Sequence, residues 1–159
     1  MDLPELLFER PDASTIHFTR RLPGGPRLIW RLWTDPHHLR QWWGPMGGCV
    51  DHCAVDLRPG GAWRIEFSSP TYGNKVVCGS YVAIEPDRRL VFTWGWEENG
   101  EVGHVSRVTL TFEEEDGACL FTLLHEDLSP LQAETHPTGW RSCLDGLARH
   151  AIAETGQGG

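Results

Sequence analysis

Lysine is almost missing from this chain: Lys75 is the only one beside thirteen arginines, and 22 acidic against 14 basic residues leave a formal charge of -8. The arginines are scattered and form no stripe that could neutralise a phosphate backbone, so nucleic acid is not an expected partner. No apolar run approaches the ~20 residues a membrane span requires, which excludes membrane insertion by a helix. The opening MDLPELLFERPDAS is acidic and broken by Pro4 and Pro11, without the basic and then apolar stretches of an export signal. Five cysteines, an odd number and widely spaced, argue against a disulfide framework and for reduced thiols in a cytoplasm. Abundant glycine with scarce lysine points to a composition-biased bacterial genome.

Signatures of common catalytic chemistry are missing too. Gly24-Gly25 is flanked by prolines and lacks the lysine and hydroxyl of a phosphate-binding loop, and no G-x-S-x-G turn presents a nucleophile. The acidic residues gather at turn-like segments, 97–101 and 113–117, where carboxylates stay solvated and serve solubility. Cys49, His52 and Cys53 are ligand types that zinc uses. On a strand, however, the two thiols face one way and the imidazole the other, and no second Cys/His pair completes a site. His37 and His38 are adjacent instead of one helical turn apart, so they present no two-ligand face. Neither a metal nor a cofactor is expected.

Tryptophan is what the chain has in excess. Six of its eight fall in two short stretches: Trp30, Trp33, Trp42 and Trp43 within LIWRLWTDPHHLRQWWGP (28–45), and Trp94 and Trp96 within RLVFTWGW (89–96). Indole is large, rigid and apolar with a single donor, so this density suggests side chains lining a void or gripping something flat. Trp42 and Trp43 point about 100° apart on a helix, so at most one faces that void while the other anchors the helix or lies exposed.

Hydrophobic periodicity sets the order of elements. Residues 12–22, DASTIHFTRRL, alternate as a strand with Ile16 and Phe18 on one face. Leu28, Ile29, Leu32 and Trp33 then recur at helical spacing after Pro26, and Thr34 or Asp35 before Pro36 starts a second short helix carrying His37 to Trp42. From residue 49 to about 128 the period is two, cut by turn signals at Pro59-Gly60-Gly61, Pro70 to Asn74, Pro86-Asp87, Asn99-Gly100 and Asp116-Gly117. That gives six antiparallel strands. Their inward faces are Cys53, Val55 and Leu57; Trp63, Ile65 and Phe67; Tyr81; Leu90, Phe92 and Trp94; Val108, Leu110 and Phe112; and Phe121, Leu123 and His125. Trp140, Cys143, Leu144, Leu147, Ala148 and Ala151 form one stripe of a closing helix about four turns long, expected to begin near Pro137 because proline is excluded from a helix interior.

The expected fold is therefore α+β: a curved seven-stranded antiparallel sheet, two short helices between strands 1 and 2, and a long C-terminal helix across the concave face. A chain of this size buries about 68 to 70% of its unfolded surface and folds without disulfide or metal. The single domain spans residues 12–153, between an N-terminal tail (1–11) and a frayed end (154–159). A pocket between helix and sheet follows from that geometry.

The runs TDPHHLRQWWGP (34–45), GSYVAIEPDRRLVFTW (79–94) and VTLTFEEEDGACLFTLLHEDL (108–128), with the GW and spaced leucine at 139–147, resemble a known family. It is that of the bacterial homologues of the activator of 90-kDa heat-shock-protein ATPase (AHSA-type), in the superfamily of START lipid-transfer domains and the birch-pollen-allergen helix-grip fold. The resemblance covers about residues 12–153 and implies a hydrophobic cavity under the long helix. That scaffold serves lipid carriers, cyclases, hormone receptors and co-chaperones, so fold does not choose a function. Eukaryotic co-chaperones of this family carry a further N-terminal domain that engages the chaperone. With a first strand expected near residue 12, no room is expected here for that domain, and chaperone activation is not a strong expectation.

Trp63, Tyr81, Phe92, Trp94, Leu110, Phe121, Leu123, His125, Trp140 and Leu144 are the candidate lining, with His125 and Tyr81 orienting a small hydrophobic or aromatic ligand. The leading expectation is a non-catalytic carrier or sensor. A protein-interaction module with a chaperone partner, and a cyclase or dehydratase using His125 and Tyr81 as acid and base, are the alternatives. His125 also has a plainer reading, as a core histidine bonded within the fold. No catalytic residue is assigned, and the sequence leaves open whether the chain forms a homodimer.

Overall fold

The computed structural model describes residues 2–156. Nine strands form an antiparallel sheet: β1 (Leu6–Asp12), β2 (Thr15–Leu22), β3 (Cys49–Val55), β4 (Ala62–Ser69), β5 (Gly73–Glu85), β6 (Arg89–Glu98), β7 (Glu101–Val102), β8 (Ser106–Glu115) and β9 (Ala118–Glu126). Their order is β1-β2-β9-β8-β6-β5-β4-β3, with β7 paired only to β6. Two short helices, α1 (Pro26–Thr34) and α2 (Pro36–Trp42), a 3-10 turn (Pro45–Gly47) and the long α3 (Pro130–Thr155) complete a helix-grip architecture.

Local chemistry sets most boundaries. Pro26 and Pro36 occupy first-turn positions, and the Asp35 side chain accepts the His37 backbone N–H to cap α2. Ser129 and Gln132 form a reciprocal capping box at the start of α3, and Gly156 ends it in the left-handed region. Asn99-Gly100 and Asp116-Gly117 have positive φ at both residues, the geometry that matches strand twist in a two-residue hairpin. The alternating residues Trp63, Ile65 and Phe67, Val108, Leu110 and Phe112, and Phe121, Leu123 and His125 are all buried, as is the α3 stripe from Trp140 to Ala151.

Three features differ from the sequence expectation. The segment read as a tail contains β1, which pairs with β2 and packs Phe8 against Phe18 in a tilted arrangement at 4.9 Å, with the Arg141 guanidinium 5.1 Å over Phe8. Acidic residues and Pro11 hide its alternation, and an edge strand with a bulge between Glu9 and Asp12 tolerates that proline. With this strand and the two-residue β7 beside β6, the sheet has nine strands, not seven. Leu57, expected inward, is exposed because the chain leaves the sheet at Val55. Third, α3 runs 26 residues, roughly seven turns, straight through Pro137. The capping box and the buried Ala133 anchor the turns ahead of the proline, which offsets the lost hydrogen bond to the Ala133 carbonyl.

Arg20 extends the inward face of β2 that Ile16, Phe18 and Leu22 otherwise make apolar. Its buried guanidinium donates to the Leu144 carbonyl and to Asp145 Oδ1, both at 2.9 Å, and so ties β2, the strand next to the sheet edge, to the middle of α3. At Gly79 in β5 the sheet closes so tightly that a Cβ would lie 1.9 Å from the Thr93 carbonyl oxygen and 2.8 Å from Trp63 Nε1. Gly79→Ala is therefore expected to destabilise the fold by about 1–3 kcal/mol, read as a lower denaturant midpoint; an unchanged midpoint would contradict this packing.

Candidate functional site

His125 stands at the end of β9 with no solvent exposure. Trp140 Nε1 donates to its Nδ1 at 3.0 Å. An indole N–H can only donate, so Nδ1 is unprotonated and the ring carries its hydrogen on Nε2, 2.7 Å from Ser106 Oγ. Ser106 passes its own hydrogen to the Trp94 carbonyl at 3.3 Å. A directed chain thus runs from α3 through β9 and β8 to β6. Burial, assisted by the nearby His136, holds the His125 pKa well below the ordinary imidazole range and keeps it neutral.

Beside this chain four indoles converge. Trp94 lies 4.8 Å from Trp140 and 5.7 Å from both Trp43 and Trp96, and Trp43 meets Trp140 edge-on at 5.7 Å. These four wall an open cavity of about 350 Å³, bounded also by His136, Gly139 and Cys143 of α3 and by Pro45. Exposed Tyr72, Asn74, Lys75 and Glu98 stand at its rim. Trp43 and Trp94 each keep a buried indole N–H without a protein partner, as Trp33 does away from this cavity.

The polar groups in the wall are poorly suited to proton transfer. Trp96 Nε1 donates to His136 Nε2 at 3.1 Å, and burial lowers the His136 pKa to about 4. Cys143 is pushed up to about 12 by burial and remains a thiol, hence a weak nucleophile at neutral pH. Glu97 is engaged by the Arg64 guanidinium at 2.8 Å, which holds its carboxyl below the usual range.

Of the ten candidate lining residues, Trp94 and Trp140 face this cavity. Trp63, Tyr81 and Phe92 surround, with Trp94 again, a second space of only about 30 Å³. Burial pushes the Tyr81 phenol above its ordinary range. Leu110, Phe121, Leu123 and Leu144 are packed in the core with at most 1% exposure, Phe121 stacked on Trp33 at 5.6 Å. His125 lines neither space, and both its ring nitrogens are occupied. Trp43 and Trp96, signalled by their place in the tryptophan-rich stretches, belong to the site, whereas Trp42 bonds the Leu32 carbonyl at 2.7 Å and fastens α2 to α1. Nothing in the pattern pointed to His136.

The chain matches the family described as Activator of Hsp90 ATPase homolog 1-like protein over residues 25–151. Among solved structures it is similar to the AHSA1 protein from Silicibacter pomeroyi, with 28% identity, a TM-score of 0.79, and coverage of 89% of this chain and 99% of that one. Protein CV1439 from Chromobacterium violaceum is 26% identical with a TM-score of 0.75, covering 87% and 96%. CalU16 from Micromonospora echinospora is 25% identical with a TM-score of 0.67, covering 97% and 88%. No curated protein matches the chain. Among the described residues no helix is long and apolar enough to cross a membrane.

Buried neutral histidines make stability depend on pH. Below the ordinary value of 6.5 the unfolded chain protonates its imidazoles, while His136 in the folded chain stays neutral down to about pH 4. Stability is thus complete above 6.5 and declines as pH falls towards 4. The denaturant midpoint is expected to be lower at about pH 5 than at about pH 7.5, and less so in His136→Gln, which keeps an acceptor for Trp96. Equal midpoints at the two pH values would refute the assignment.

Proposed function

The chain belongs to the Activator of Hsp90 ATPase homolog 1-like family, a scaffold that does not by itself name an activity, and we propose that it is a carrier or sensor. It binds a small, flat hydrophobic or aromatic molecule in the indole-walled cavity and does not transform it. The convergence of Trp43, Trp94, Trp96 and Trp140 around about 350 Å³ carries this reading, since that volume falls within the usual range of about 300 to 1,000 Å³ for small-molecule sites.

Indole faces offer large, rigid contact area at little entropic cost, and apolar burial contributes about 25 cal/mol per Å² before association costs are subtracted. Micromolar affinity is the natural scale for such a site. The wall groups favour binding without turnover: His136 is a weak base bonded to Trp96, Cys143 is protonated, and Glu97 is held by Arg64. His125, the other acid–base candidate, has no lone pair or proton to spare.

Native mass spectrometry of freshly purified protein is expected to show a co-purified small molecule, and a panel of aromatic and fatty compounds is expected to quench tryptophan fluorescence saturably. Trp96→Ala removes a half-buried wall and should weaken the best compound about tenfold, a loss of ~1.4 kcal/mol, with the fold kept. A panel without any saturable binder, together with an empty native spectrum, would end this reading; turnover of a bound compound would replace it with an enzymatic one.

A further inference from the structure

Two turns along α3 from the cavity-lining Cys143, on the same face of the helix, a second cluster of side chains bridges α3 and α2. His38 lies on α2 and His150 near the end of α3, 112 residues apart in sequence, yet His38 Nδ1 is 3.0 Å from His150 Nε2. Glu154 sits one turn beyond His150 on the same helix face, with Oε1 3.8 Å from the same Nε2. One ligating atom from each of the three residues falls within 4.8 Å of the other two.

This spacing has the dimensions of a coordination sphere. Two imidazole nitrogens bound at 2.0–2.1 Å and separated by a tetrahedral angle stand roughly 3.3 Å apart, so the observed pair needs to open by only a few tenths of an ångström. The carboxylate, exposed and on a flexible side chain, has to close by roughly 0.5 Å towards His150 and by up to about 1.5 Å towards His38. The rings are half-buried and already meet edge to face, with centroids 5.3 Å apart. Their backbones are fixed as well: at Gly146, one turn before His150, an added Cβ would lie 2.6 Å from the Trp42 carbonyl oxygen, so α2 and α3 are in direct contact. Neighbouring His37 is drawn to Gln41 instead, at 3.1 Å, and on the solvent side of the cluster Glu154 is exposed.

We propose that His38, His150 and Glu154 form a binding site for a divalent transition-metal ion that favours nitrogen ligands, zinc foremost, with water completing the coordination. Two imidazoles, one carboxylate and an open position suit zinc, and the Irving–Williams order places copper(II) and nickel(II) as competitors. The bound ion clamps α2 to the end of α3. The site shares no residue with the cavity and does not depend on what the cavity binds.

The test uses the untagged full chain, stripped with a chelator and titrated with zinc chloride by calorimetry. One zinc per chain is expected, together with a higher melting temperature in zinc than in chelator. His38→Ala and His150→Ala should each weaken binding about tenfold or more. Glu154→Gln, at an exposed position that leaves folding intact, should weaken it several-fold. Cys49→Ser combined with His52→Ala should leave it unchanged. Cobalt(II) should give visible bands that vanish in His150→Ala. Absence of saturable zinc binding overturns the proposal, as does binding that all three cluster variants retain or that only the Cys49/His52 variant loses. If a histidine variant fails to fold, Glu154→Gln and the cobalt spectrum of the unmodified chain decide the matter.

Discussion

The hydrogen-bonded chain through His125 is the constraint on which the centre of the molecule depends. A helix resting on an apolar sheet can slide, because hydrophobic contact is non-directional. Trp140 to His125 to Ser106 to the Trp94 carbonyl is directional, desolvated and fully paired, so it fixes where α3 sits along β9, β8 and β6. Arg20 supplies the second fixed point further along the helix, at Leu144 and Asp145. Between these two points the core packs solid; Leu110, Phe121, Leu123 and Leu144 fill it.

The cavity is a consequence of where that packing stops. Ahead of Trp140 the first turns of α3 reach over the ends of β5 and β6, and there the gap is spanned by indoles instead of being closed by aliphatic side chains. The same tryptophans therefore serve two roles: Trp140 and Trp94 belong both to the polar chain that positions the helix and to the wall of the open space. Rigid walls tied to the fold's registration device are suited to selecting a ligand by shape.

Much of this architecture was legible in the sequence. Period-two alternation around Trp63, Val108 and Phe121 named the correct inward faces because one side of each strand is almost purely apolar, and the helical stripe from Trp140 to Ala151 was equally clear. β1 was not legible, since Leu6 and Phe8 alternate within a short segment otherwise acidic and proline-containing. Nor was the length of α3, because the rule against interior proline ignores anchoring by a capping box and a buried Ala133. The site was read only in part. The tryptophan excess announced it, but which end of the sheet stays unfilled is a long-range outcome, so Trp43, Trp96 and His136 could not be assigned from spacing. The meeting of His38 with His150 across 112 residues left no local trace at all.

Pro137 gives the long helix an internal asymmetry. Its ring removes the rung that would join it to the Ala133 carbonyl, at a point just after Thr135 and His136 meet the cavity and before Trp140 and Arg20 fasten the helix down. Deformation of α3 thus costs least at that missing rung. The leading turns therefore owe their place to the Ser129–Gln132 capping box and the buried Ala133, and not to an unbroken ladder with the fastened portion.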